Sequence, residues 1–91
     1  MEAREEFETG LQVIISYIRS QLRLNKILEH SIDTWPDYSV DLPYQLKFIV
    51  RIGAGTSEVT ATREQVEDSS RGIDPSIKAR ADSILAGLNP A

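Results

Sequence analysis

Apolar and polar positions change their spacing along this chain, and each change marks a new element. Between residues 3 and 28, Phe7, Leu11, Ile14, Ile15, Ile18 and Leu22 recur at steps of three, four and seven, the spacing of one helix face. Val13, Tyr17, Leu24 and Leu28 widen that face from one side, and Glu5, Glu8, Gln12, Ser16, Arg19, Arg23 and Lys26 share the opposite side. The pattern predicts a long amphipathic helix of roughly 26 residues, about 39 Å at 1.5 Å per residue. Gly10 alone works against it, at a cost of about 1 kcal/mol relative to Ala. Glu2, Glu5, Glu6 and Glu8 come early and Arg19, Arg23 and Lys26 late, an order that complements the helix dipole.

Residues 31–43 read as a loop. Pro36 and Pro43 push their predecessors away from helix, and Asp, Ser and Thr add turn chemistry. Trp35 and Tyr38 are expected to fold back onto the edge of the core. From Tyr44 the period becomes two: Tyr44, Leu46, Phe48, Val50 and Ile52 alternate with Gln45, Lys47, Ile49 and Arg51, which predicts a half-buried strand over 44–52. A glycine turn over 53–57 then leads into a second strand over 57–63, so the two make an antiparallel hairpin. Thr62-Arg-Glu-Gln65 fits a capping box and opens a short helix over 63–70, with a longer second strand as the alternative. Asp74-Pro75 places an N-cap before a first-turn proline. Ile77, Ala81, Ile84, Leu85 and Leu88 form the apolar stripe of a final helix over 75–87, ended by Gly87 and Asn89-Pro90.

The order is that of an α+β domain, with helices on one face of an antiparallel sheet. A chain of 91 residues is one domain's worth, residues 1–91, with a thin core. The hydrophobic fraction of 41% and charged fraction of 26% are those of a globular protein. Its net charge of −4 argues against a sequence-independent nucleic-acid binder, which needs a basic footprint. Without cysteine there is no disulfide, thiolate chemistry or zinc–thiolate site. No secretory-type leader, membrane span or glycosylation sequon is legible, and a cytoplasmic location is the expectation.

Candidate chemistry changes little. Gly53-Ala54-Gly55 lacks the third glycine or the Lys-Ser/Thr of a phosphate loop, and the next run alternates like a strand. His30, the lone histidine, invites a triad with Asp33 or Asp37, but no nucleophile elbow surrounds any serine. It reads instead as a partner for the dipole at a helix end. Asp33, Asp37 and Asp41 recur every four residues, without the alternate ligands and central glycine of a calcium loop. No catalytic residue, cofactor or metal is therefore expected, and the chain reads as a non-enzymatic protein-interaction module: an adaptor, a chaperone-like subunit or an inhibitor. The expected partner surface is the wide helix flank at Val13, Tyr17 and Leu24, with Trp35 and Tyr38. The alternative is nucleic-acid association through Tyr44, Lys47, Arg51 and Arg63 on the outer hairpin face, with Tyr44 as a stacking platform. Because the helix is apolar over half its circumference and a lone hairpin is marginal in water, a homodimer is expected, by the helix flank or by hairpin edges. Strands hidden in the Trp35 loop would remove that need.

Overall fold

The computed structural model describes residues 3–36 and 42–88. Helix α1 spans Ala3–Leu24, and its length comes to about 33 Å. It ends four residues before the sequence pattern suggests. Lys26 takes a left-handed φ of 64°. The Lys26 amide donates to the Arg23 carbonyl at 2.9 Å, and the Ile27 amide donates to the Leu22 carbonyl at 2.8 Å. This pair of bonds is a Schellman ending, and Ile27 makes the apolar contact that accompanies it by packing onto the core that holds Leu22. Leu28 consequently leaves the helix and is exposed.

The loop expected over 31–43 contains a strand, β1, at Ser31–Trp35. It pairs antiparallel with β2 (Gln45–Ile52), which pairs antiparallel with β3 (Gly55–Thr62). The sheet therefore has three strands in the order β1-β2-β3, and no longer needs a partner to reach three. The β2–β3 turn is tighter than the expected 53–57. Ile52 pairs with Gly55, so only Gly53 and Ala54 connect the strands. Gly53 alone of the two has a positive φ, 58°, as in the type II′ turns that fit strand twist.

Thr62 caps α2 (Arg63–Asp68) with both bonds of the predicted capping box. A 3-10 turn at Ser69–Arg71 leads to α3 (Pro75–Leu88). Asp74 caps α3 by accepting from the Ser76 and Ile77 amides at 2.8 and 3.2 Å. The buried Ser69 hydroxyl joins the two helices: it donates to the Gln65 carbonyl at 2.9 Å and accepts from the Asp74 amide at 3.0 Å.

The helices cover one sheet face. Phe7, Leu11, Ile14, Ile18 and Leu22 of α1 share a single buried cluster with Leu46, Phe48 and Val50 of β2, Val59 and Ala61 of β3, Val66 of α2, and Ile77, Ala81 and Leu85 of α3. Gly10 is buried in α1 where α2 crosses it. A Cβ at Gly10 would stand 1.7 Å from the Val66 main-chain oxygen, so the glycine permits a backbone-to-backbone approach that no other residue allows.

Two stability predictions follow from this packing. Phe48→Ala should cost roughly 3–5 kcal/mol in urea melts, because a fully buried ring is removed from a closed core; a loss under about 1 kcal/mol would contradict the register. Gly10→Ala should destabilise by roughly 1–3 kcal/mol through overpacking, opposite in sign to the gain of about 1 kcal/mol that helix propensity alone implies. Thermal or urea unfolding of the single variant decides between the two signs.

Candidate interaction surface

The strand registers set the outer face of the sheet in rows. Ser31, Arg51 and Thr56 form one row, Asp33, Ile49 and Glu58 the next, and Trp35, Lys47 and Thr60 the third. Two diagonal ion pairs flank Ile49: Arg51 with Asp33, and Lys47 with Glu58 at 3.6 Å. All four side chains are roughly half exposed, so each pair adds only about 0–1 kcal/mol. Each of the two cations is matched by a carboxylate, so the four charges cancel.

The four residues of the nucleic-acid alternative are not gathered into one stripe. Tyr44 and Arg63 meet at the end of the sheet, where the guanidinium lies 5.0 Å from the Tyr44 ring centroid and donates to the Leu42 carbonyl at 3.3 Å. An open pocket of about 670 Å³ beside them is lined by Tyr44, Gln45, Thr62, Arg63, Glu64 and Glu67, so carboxylates again accompany the cation. Lys47 shares the lining of a second pocket with Tyr44 while paired with Glu58, and Arg51 stands apart in its pair with Asp33.

The residues expected to bind a protein partner are also dispersed. Tyr17 is half-buried and used within the fold: its hydroxyl donates to Asp82 Oδ1 of α3 at 2.5 Å. Lys78 Nζ lies 3.1 Å from the other Asp82 oxygen and 5.6 Å from the Tyr17 ring centroid. The flank at Tyr17 is therefore already taken by α3, and Val13 beside it is half-buried. Leu24 remains 75% exposed. Trp35 does not fold back onto the core: it is 62% exposed, because the β1 alternation turns it to the outer face with Ser31 and Asp33. Together with Pro36, Pro43, Tyr44, Gln45, Lys47 and Thr60 it borders a pocket of about 310 Å³ at the sheet end. Tyr38 lies outside the described residues.

The two sheet edges are treated differently. At β3, α3 packs alongside, and Arg80 donates to the Thr60 main-chain carbonyl. At β1, no strand pairs with the free side among the described residues. Two exposed apolar residues bracket β1 in sequence, Leu28 three residues before the strand and Trp35 at its end. Sequence reasoning passed over Leu28 as helix flank. The alternation Ser-Ile-Asp-Thr-Trp was the available signal, masked by the proline that follows.

His30 sits six residues beyond the end of α1, and its Nδ1 lies 3.2 Å from the Ile27 carbonyl. Asp33, its proposed orienting partner, is engaged by Arg51. Among the described residues no group of three or more His, Cys, Asp or Glu side chains is placed to hold a metal, and no helix is long and apolar enough to cross a membrane. Compared with protein-family models, curated proteins and solved structures, the chain matches none.

The Tyr17–Asp82–Lys78 group makes the α1–α3 contact sensitive to pH. Partial burial, and then the hydrogen bond to Asp82, hold the Tyr17 phenol above its ordinary range. The bond from Tyr17, and then that from Lys78, hold the Asp82 carboxyl below the usual carboxylate range, while Lys78 is raised chiefly by its bond to Asp82. A raised phenol stabilises the fold below about pH 10 and loses that effect as pH climbs through its folded value. A lowered carboxyl stabilises above about pH 4 and loses that effect as pH falls. Tyr17→Phe should therefore cost about 1 kcal/mol near neutrality and flatten the alkaline fall of stability. Asp82→Asn should flatten the acid fall. Urea melts across the pH range check both.

Proposed function

We propose that this chain is a small non-enzymatic protein-interaction module, an adaptor, chaperone-like subunit or inhibitor, and that it engages its partner through the β1 side of the sheet. The observation that carries this reading is the unequal treatment of the two edges. β3 is guarded by α3 and Arg80, whereas β1 offers unpaired main-chain groups between exposed Leu28 and Trp35. An edge strand of this kind is a ready template for a further extended segment, and strand addition is a recurrent mode of protein recognition. Exposed tryptophan is among the residues that dominate binding energy at interfaces. A cytoplasmic location and independence of any cofactor belong to the same reading.

Association with nucleic acid is the weaker alternative, since Lys47 and Arg51 are each matched by a carboxylate on the same face and the chain is acidic overall. The two readings separate in one experiment. The tagged chain is used to capture protein from nuclease-treated lysate of its native host, with a further copy of the chain counted as a partner. Capture should survive high salt, fall by roughly tenfold or more with Trp35→Asp, and be unchanged by Lys47→Glu. Capture that vanishes with nuclease or falls steeply with salt and follows Lys47 instead of Trp35 would reverse the assignment.

A further inference from the structure

We infer that the pocket between Trp35 and Tyr44 is the docking site for a proline-rich segment of the partner protein, bound as a left-handed polyproline helix. The inference rests on the interaction reading above and names the chemistry of the segment that is recognised.

The pocket is built on the sheet. Trp35 of β1 pairs with Lys47 of β2, and Lys47 pairs with Thr60 of β3, so the three form one row across the outer face. Two strand spacings set Trp35 and Thr60 about 10 Å apart, the length of roughly three residues of a polyproline helix. Tyr44, one residue before β2, lines the pocket with Pro36 and Pro43. Both aromatic rings are open to solvent, with 62% of Trp35 and 82% of Tyr44 exposed. They are nevertheless held in place. The Tyr44 carbonyl accepts from the Arg63 amide at 2.7 Å, and the Arg63 guanidinium lies 5.0 Å from the Tyr44 ring centroid. Trp35 is placed by its strand pairing. Rings fixed before binding give up little conformational freedom on binding, and the walls at Pro36 and Pro43 give up almost none.

Charge selects the ligand. No carboxylate lines this pocket among the described residues, so a cationic group finds no counter-charge there. Its one cation, Lys47, is paired with Glu58, so a phosphate finds none either. The pockets beside Arg63 and Arg71 differ, since Glu64 and Glu67 line the first and Glu6 the second. What this pocket offers is aromatic and pyrrolidine surface with donors set into it: the Trp35 indole N–H, the Gln45 amide and the Thr60 hydroxyl. A proline-rich segment is the complement of such a surface. It is neutral, its rings are apolar, and its carbonyls are acceptors that no internal hydrogen bond uses. Each proline also lacks the N–H that would require an acceptor in the wall. Its backbone is ordered before it binds, and aromatic-lined grooves are the recurrent receivers of such helices.

The test uses the full purified chain and decaproline, with a glycine–serine peptide and a proline-free apolar peptide of equal length as controls. Trp35 is the only tryptophan, so its emission reports the pocket directly. Decaproline should shift that emission saturably, and the controls should not. Amide NMR signals followed in the same titration should move at Gln45 and Thr60. Trp35→Ala and Tyr44→Ala should each keep the thermal melt and weaken binding, followed by NMR, by roughly tenfold or more. Trp35→Phe, which keeps a ring, should lose less, and Arg71→Ala should bind as the parent does. No response at low-millimolar decaproline, equal binding by the proline-free peptide, or binding indifferent to both alanine variants would overturn the proline-rich ligand. A response to oligouridylate in place of decaproline would overturn it as well. Trp35-dependent capture of a protein that decaproline does not displace would remove the proline-rich segment and uphold the interaction module, whereas failure of both decaproline binding and capture would end both readings.

Discussion

The seam of Phe7, Leu11, Ile14, Ile18 and Leu22 along α1 is the surface that every other element is arranged to cover. Burying a side chain of this size stabilises by roughly 1.5–3 kcal/mol, and all five are at most 2% exposed. The sheet covers the seam with Leu46, Phe48, Val50, Val59 and Ala61. Helices α2 and α3 close the remaining side with Val66, Ile77, Ala81 and Leu85. Fitting three layers of side chains around one helix requires a very close approach somewhere, and this occurs at Gly10, where α2 lies against α1 main chain to main chain. A residue that weakens α1 as an isolated helix thus enables its burial in the fold.

Polar groups around this core act mostly as local fasteners. The Ser69 hydroxyl turns the chain between α2 and α3, Thr62 and Asp74 fix where those helices begin, and Tyr17 with Asp82 holds α3 beside α1. The outer sheet face follows a different logic. Its four charges cancel in pairs across Ile49, leaving a surface that neither repels nor steers strongly.

What could be read from residues alone was what depends on near neighbours. The core stripe of α1, the inward positions Leu46, Phe48 and Val50 of β2, the capping box at Thr62 and the Asp74-Pro75 start of α3 are all patterns of period or cap within a few residues, and the structure bears each out, whereas Tyr44, expected to begin that inward row, precedes the strand and is 82% exposed. The early end of α1 was hidden because the left-handed position is held by Lys26, where glycine is the usual signal. β1 was hidden because five residues ending before Pro36 offer only Ile32 as a large aliphatic on the inner face. Of the candidate surface, Trp35 was legible as a residue but not as an exposed one, since its direction depends on a strand that the local sequence disguises. The use of Tyr17 by α3 depends on Asp82, 65 positions away, a separation at which no local pattern speaks.

The crossing at Gly10 has a consequence for how the chain is assembled during synthesis. Residues 25–62 separate α1 from α2, so translation delivers the apolar seam well before α2 and α3 exist to close it. The β1-β2-β3 meander, built from successive hairpin pairings, lies between them in sequence and is the first element able to lie against the seam. Contacts between α1 and α2 close a loop of some fifty residues, and the entropy of that closure favours forming the local pairings first. Until α2 settles on Gly10, the nascent chain presents one helix on one sheet with a flank still open. That interval ends only when residues of the last third emerge.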